Sequence, residues 1–514
     1  MDSLPWLTVL ALIPLLGSIV VAVMPERAEL AARKVALVFA LIPVLIVILM
    51  GLSFSTDPGE PFQFVENVAW IPTLGINYAL GVDGIALVLL AMTVVLVPIV
   101  MIAGWHEGDE SPSGASTKGY FALILALETC IIFVFSATDV FLFYVFFEVM
   151  LIPMFYLIGR YGGPQRQYAA MKFLIYSLLG GLFMLAAMIG LYVTSAQLTG
   201  TATFDLFSLI NLDIDPATQK MLFLGFFFAF AVKAPMVPFH TWLPDAAAEA
   251  KPGSSILMIG ILDKVGTFGM IRLCLPIFPD ASKFFAPVII GLAVVSIIYG
   301  ALLAIGQTDM LRLLSYTSIS HFGFIVMGIF AFTVTSQAGA TLYMVNHGLT
   351  TAAMFAVVGY LIWRGKSKYI GDYGGVGKVA PILAGVFLLS GLSAVSLPGL
   401  SSFVSEFMVL LGTFGRNPWA VVIATFGVVL AAIYILWWYQ RTMTGPVKES
   451  NAHFTDLNGR ERWGIAPVLA LIVALGFFPQ VLLNDINPAV ERTVATVGIA
   501  APEPTVATTA GEAQ

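Results

Sequence analysis

Apolar runs of about 20 residues follow one another along almost the whole chain, each long enough to cross a hydrocarbon core of ~30 Å. About fourteen can be traced, at 5–25, 34–53, 82–104, 118–136, 138–159, 169–195, 220–239, 254–275, 284–305, 313–333, 338–363, 380–413, 418–440 and 463–484. Short polar stretches separate them, and none is long enough to hold a soluble domain. The pattern predicts an all-α polytopic membrane protein of about 14 transmembrane helices. The first run starts at Pro5 after one acidic residue, without a basic stretch ahead of it, and reads as a retained helix.

Two of the runs carry breaks. KAPMVPFHTWLPDA, with Pro235, Pro238 and Pro244, interrupts the seventh, and SLPGLSS at 396–402 interrupts the twelfth. Proline lacks the N–H that a helix needs and clashes one turn back, so helices 7 and 12 are expected to be broken. In lipid the freed backbone groups are tolerated only against protein or a water-filled cavity. The breaks stand five helices apart, which predicts two inverted five-helix repeats, helices 4–8 and 9–13. The expected organisation is 1–117 for helices 1–3, 118–275 and 284–440 for the repeats, 441–484 for a loop and helix 14, and 485–514 for a flexible tail.

Composition agrees: 59% of the residues are hydrophobic and 11% charged, where a soluble chain carries about 25% charged. The net charge of −6 says little, because in a membrane protein the distribution of charge decides more than the sum; no nucleic-acid partner is expected. Most of the 24 Lys and Arg gather in odd-numbered loops, among them Arg27, Arg33, Lys34, Arg160, Arg166, Lys172, Arg364, Lys366, Lys368, Lys378, Arg460 and Arg462. The positive-inside rule then puts those loops in the cytoplasm and both termini outside. The loop 54–79 agrees, being acidic through Asp57, Glu60 and Glu66. Cys130 and Cys274 stand alone in apolar runs and offer no metal or disulfide spacing. Phosphate-cradling loops, iron–sulfur Cys sets and paired haem histidines are missing from the sequence, so energy must come from an ion gradient or a partner.

Against this background six ionisable residues stand out within apolar runs: Glu148, Lys233, Lys264, His321, His347 and Glu406. A charge in hydrocarbon costs at least ~3 kcal/mol on insertion scales, so each needs a partner, a water pocket or a role. The first five fall ~13–20 Å from a membrane face at 1.5 Å per residue. Glu406 follows the second break, in the part of helix 12 leading to the outer face. The series therefore runs along the membrane plane. Burial can bring lysine and glutamate into titration near neutrality, and histidine needs little adjustment, so the set suits proton transfer. Glu148 and Lys233, opposite in sign at similar depth, form a plausible gating ion pair.

Structural roles are open to several of them. His321 and His347 would serve equally as helix–helix hydrogen bonders, and Lys264 beside Asp263 as a structural pair. Glu128, Asp139, His240 and Asp263 are the supporting candidates; of these Glu128 has no evident partner. Asp83, Asp139, His240, Asp245, Glu249, Asp309 and Arg312 lie near membrane edges, where long side chains reach water.

The segments FYVFFEVMLIPMFYLIG (143–159), GRYGGPQRQYAAMKFLIYSLLGGLFML (159–185), VKAPMVPFHTWLPDAAAEA (232–250), DMLRLLSYTSISHFGFI (309–325) and VNHGLTTAAMFA (345–356) resemble the antiporter-like membrane subunits of respiratory complex I, NADH–quinone oxidoreductase. The resemblance covers most of residues 118–440. It implies an ion pair of Glu148 with Lys233, Lys264 as the central lysine, His321 and His347 continuing the axis, and Glu406 as its terminal acid. It also implies a bacterial inner (plasma) membrane, a proton as substrate, and neighbouring antiporter-like subunits as partners. Flavin mononucleotide, iron–sulfur clusters and quinone would reside in other subunits, and no cofactor in this chain. The alternative is a subunit of a multisubunit cation/proton antiporter; Glu406 argues against it, because those subunits carry a lysine there. A scaffold with vestigial charges, or a transporter of an organic solute, are the remaining classes, and no substrate pocket is evident for the latter.

Overall fold

The computed structural model describes residues 4–499 apart from positions 57, 58, 60 and 110. Asp57, Glu60 and the tail from 500 onward lie outside the described residues. Outermost are α1 (Trp6–Val23) and α2 (Glu29–Ser53), whose Leu, Ile and Val side chains form broad exposed faces suited to lipid. They pack on α3 (Gly84–Ala103) and α4 (Thr117–Ser136), which are almost wholly buried. The next crossing is kinked at Met150, between α5 (Val140–Val149) and α6 (Leu151–Tyr161). Pro153 accounts for the kink, since it cannot donate to the Val149 carbonyl one turn back. Helix α7 (Arg166–Thr199) has 34 residues and spans ~51 Å. After the short α8 (Leu206–Ile210), α9 (Pro216–Lys233) ends in mid-run and α10 (Trp242–Glu249) resumes it.

The eighth run departs from a regular helix. It begins as α11 (Pro252–Ser255), widens into π-helical turns over Ile256–Leu262, and narrows to α12 (Lys264–Gly269). It then widens again over Met270–Cys274 before α13 (Leu275–Ile277). The second half begins with α14 (Pro279–Ile305), α15 (Met310–Phe330) and α16 (Val334–Gly365), the last two nearly all buried at its centre. The short α17 (Val376–Val379) precedes the interrupted α18 (Pro381–Ala394) and α19 (Ser401–Phe414), and α20 (Pro418–Met443) follows. Finally α21 (Gly459–Phe477) bends by 69° into α22 (Gln480–Val497).

Ten helices among the described residues are long and apolar enough to cross a membrane. The other four expected crossings, at 220–239, 254–275, 380–413 and 463–484, coincide with the broken, π-helical or bent segments.

The chain is mostly helical, as the sequence predicts, with one addition in the connection after α2: β1 (Gln63–Ile71) and β2 (Ile76–Val82) form an antiparallel hairpin, turned at Gly75 with φ of 65°. Its Glu66 accepts the backbone N–H groups of Leu7 and Thr8, at 2.7 and 3.2 Å, and so satisfies the orphan donors that open α1. Of residues 485–514, expected to be a flexible tail, those as far as Val497 instead continue α22. Leu483, Ile486, Ala489, Val490 and Val497 make an apolar stripe at helical spacing and are buried, so this amphipathic helix docks on the bundle.

Odd-numbered connections meet on one face through ion pairs. Asp245 of α10 takes Lys172 of α7 at 2.6 Å and also pairs with Arg312 of α15. Lys368, beyond α16, reaches Asp309 at 3.1 Å and Glu249 at 3.4 Å. The edge positions singled out in the sequence thus tie helix ends together.

Candidate functional site

Each helix break is closed by a specific side chain. Pro235 has no N–H to give the Ala231 carbonyl, which accepts instead from Met236 at 3.1 Å. That leaves the Val232 carbonyl, and the indole Nε1 of Trp242 donates to it at 2.9 Å. Beyond it the Val237 N–H finds Ser296 Oγ of α14 at 3.0 Å. In the second break Ser396 and Gly399 take positive φ values of 54° and 91°. Asn346 of α16 donates to the Ser401 carbonyl at 2.7 Å and to Ser405 Oγ at 3.2 Å. Both breaks are therefore fixed by hydrogen bonds, as backbone at membrane depth requires.

Lys233 is the last residue of α9 and is buried. Its Nζ sits 4.8 Å from the centroid of the Phe147 ring and 5.9 Å from that of Phe173, with no hydrogen-bond partner. Glu148, just before the Met150 kink, turns its carboxylate onto Gly181 of α7; any side chain at 181 would collide with it. Its Oε1 is buried and unpartnered. Glu148 and Lys233 face each other within electrostatic reach, but no contact ion pair joins them among the described residues. The ion pair expected from the sequence is not made in this structure.

The π turns of the eighth run create the next station. In an α-helix the Asp263 N–H would bond the Ile259 carbonyl; here it reaches Met258 O at 3.0 Å. The released Ile259 carbonyl accepts from Lys264 Nζ at 2.6 Å. The same ammonium meets His347 Nδ1 of α16 at 2.7 Å and lies 5.2 Å from the Phe322 ring centroid. Lys264 is thus committed to the second half of the molecule and not to Asp263, so the structural pair those neighbours suggested does not form.

Onward, the His347 ring lies 5.3 Å from that of His321 on α15. A cavity of about 20 Å³ lies among Thr317, His321, Tyr343, His347, Thr350 and Ser402, room for one water beside the two rings. His321 Nδ1 bonds the Tyr343 hydroxyl at 2.6 Å, and that hydroxyl donates to Glu406 Oε2 at 2.8 Å. Ser396, in the break itself, donates to the same oxygen. Lys264, His347, His321 and Glu406, on four different segments, are thereby brought into one line.

Tyr343 was missed in the sequence. Its signal is the four-residue spacing to His347, which places both on one face of α16. Among the supporting candidates, Asp139 caps α5 by accepting from Phe141 and Leu142 and holds Asn77 of the hairpin, at 2.9, 3.0 and 3.0 Å. His240 is buried with Nδ1 unpartnered, its ring 5.2 Å from that of Tyr299. Glu128 is buried in α4 with both oxygens unpartnered, and so is Asp263. No group of three or more metal-ligating side chains occurs among the described residues.

A membrane fold with two broken helices and buried ionisable groups strung between them defines an ion-transport class of protein. Residues 137–432 match the family described as NADH:quinone oxidoreductase/Mrp antiporter, TM, and the chain belongs to this family. It is 50% identical to NADH-quinone oxidoreductase subunit M of Mycobacterium tuberculosis, over 99% of this chain and 97% of that one. Its fold matches a chain of respiratory complex I from Thermus thermophilus with a TM-score of 0.87 and 29% identity, covering 96% of this chain and all of the other. A chain of the Mrp complex from Dietzia shares the fold, with a TM-score of 0.81 at 20% identity over 96% of this chain and 99% of the other.

Proposed function

We propose that this chain is a proton-translocating membrane subunit of a bacterial NADH–quinone oxidoreductase. Protons pass along Glu148, Lys233, Lys264, His347, His321, Tyr343 and Glu406, driven by quinone reduction in other subunits. The observation that carries this reading is the line from Lys264 to Glu406, buried between two helix breaks with one water-sized gap. From Lys264 to Glu406 every member can gain or lose a proton; Lys264–His347, His321–Tyr343 and Tyr343–Glu406 are at hydrogen-bond distance, and a water-sized cavity lies beside the two histidines. Breaks at corresponding positions support the division into two five-helix units, 118–275 and 284–440, the second inverted, within a fourteen-crossing topology. Lysine and arginine on the odd-numbered connections support a plasma-membrane orientation with both termini outside. The partners are other membrane subunits, neighbouring antiporter-like ones above all, and the redox cofactors belong elsewhere in the complex.

Closing the gap between Glu148 and Lys233 stabilises both charges, and opening it frees the lysine proton; the pair acts as the gate. Glu148→Gln and Lys233→Ala should each nearly abolish proton pumping in assembled complex. NADH oxidation by an artificial acceptor at the flavin should be unaffected. Normal pumping in either variant at normal assembly overturns the reading. A cation/proton antiporter subunit is the second reading, favoured by the shared fold of the Mrp complex; Glu406 and the high identity to subunit M weigh against it.

A further inference from the structure

Between Lys233 and Lys264 the line described above has no intermediate, and the irregular eighth run supplies one. Gly266 lies against the end of α9: a Cβ there would meet Ala234 N at 2.6 Å and Phe230 O at 2.7 Å. At Gly269 a Cβ would strike the Phe230 ring. These two glycines press α12 onto the turn that ends at Lys233. Asp263 stands three positions before Gly266, on the same helical face, and therefore looks toward Lys233. Lys264, one position later, is turned by ~100° and reaches His347 of α16. Neighbouring residues of one segment thus address the two halves of the molecule.

Asp263 differs from the other acids at helix ends. Asp83 accepts from Ala86 and Arg272, Asp139 from three backbone N–H groups, and Asp309 from Leu311 and Arg312. Asp263 is wholly inaccessible, and neither carboxyl oxygen has a hydrogen-bond partner. The charged groups within its electrostatic reach are Lys264 on its own segment and Lys233 on α9. A carboxyl group retained for structure makes hydrogen bonds, because a buried one without them destabilises the fold. Glu128 is equally buried and unpartnered, but no charged group lies within its electrostatic reach. Among the described residues, Asp263 alone combines a carboxyl with neither oxygen hydrogen-bonded and two lysines within electrostatic reach.

We infer that Asp263 is the proton-transfer group between Lys233 and Lys264. The carboxylate takes a proton from the Lys233 ammonium, leaving a neutral amine and a carboxylic acid. When Lys264 has passed its own proton to His347 Nδ1, the acid reprotonates the Lys264 amine and returns to carboxylate. Charge and protons balance at each step, and the sequence runs equally in reverse. The irregular turn at Asp263 gives Lys264 the freedom to leave the Ile259 carbonyl and approach it.

This inference rests on the proposed function, and the two fail separately. Intact complex carrying Asp263→Asn, Asp263→Leu or Asp263→Glu is reconstituted in proteoliposomes beside Lys264→Met. Pumping rate, its pH profile and infrared difference spectra are recorded. A relay predicts assembly with Asn and Leu, a pumping rate at least about tenfold lower, and partial rescue by Glu with a shifted pH profile. It also predicts a deuterium-sensitive carboxylic band lost in Asp263→Asn. Wild-type pumping in Asn or Leu while Lys264→Met is defective overturns the role of Asp263 and leaves the line standing. Wild-type pumping in all of them overturns the proposed function as well. Failure of both Asn and Leu to assemble makes Asp263 structural and overturns the inference.

Discussion

Replacing Tyr343 with Phe removes one oxygen, the only atom that joins His321 to Glu406. In its absence the two legs of 2.6 Å and 2.8 Å that meet at that hydroxyl are both lost, and His321 Nδ1 and Glu406 Oε2 have no atom between them. Direct proton transfer needs heavy atoms within ~2.6–3.2 Å, or a single water between them. The adjoining cavity of about 20 Å³, lined by His321, Tyr343 and His347, offers room for one water, which is less fixed than a phenol hydroxyl held at both ends. Glu406 keeps its bond from Ser396, so helix α19 should hold its place. A hydrogen bond to a charged group is worth about 1.5–3 kcal/mol. Placed on the transfer step, that range corresponds to about a tenfold to a hundredfold slower pumping. The assay is proton uptake by proteoliposomes holding assembled complex, with NADH oxidation by an artificial acceptor as control. Pumping at the wild-type rate in Tyr343→Phe would refute the hydroxyl as a link.

The remaining expectations are these. Lys264→Arg should retain more pumping than Lys264→Met but less than wild type, since Arg keeps the charge yet gives up its proton with difficulty; equal wild-type rates would make Lys264 structural. Arg272 pairs with Asp83 through two bonds of 2.6 and 2.8 Å. Arg272→Met should leave a buried carboxylate uncompensated and destabilise the subunit by about 3–5 kcal/mol, visible as lost assembly on native gels. Asp139→Ala should cost about 1–2 kcal/mol through a lost N-cap, lowering the thermal midpoint of the complex while leaving pumping per assembled complex unchanged.

The breaks of helices 7 and 12 were legible because proline announces itself, and Lys233, Lys264 and Glu406 because charge in an apolar run is conspicuous. Geometry between segments was not. Nothing in ILMIGILDK singles out the π turns that release the Ile259 carbonyl, since Gly260 and Asp263 weaken an α-helix without specifying what replaces it. The hairpin at 63–82 was hidden because QFVENVAWI is too short and mixed to stand out beside runs of 20 apolar residues. Residues 485–497 read as a tail on composition, yet an apolar stripe at helical spacing docks them. Glu148 and Lys233 were legible as two opposite charges, but not that the fold leaves them without a contact. Tyr343 escaped notice because a phenol does not stand out among ionisable groups in an apolar run, although its hydroxyl bonds both His321 and Glu406.

The most direct test of a proton line through this subunit is coupled proton pumping by complex carrying Glu406→Gln, normalised to assembled complex. Glutamine keeps the size of the side chain and its acceptance from Tyr343 and Ser396, but it cannot ionise. Transfer through Glu406 predicts normal assembly, normal NADH oxidation at the flavin and pumping reduced at least about tenfold. Pumping equal to wild type, at equal assembly, would contradict it.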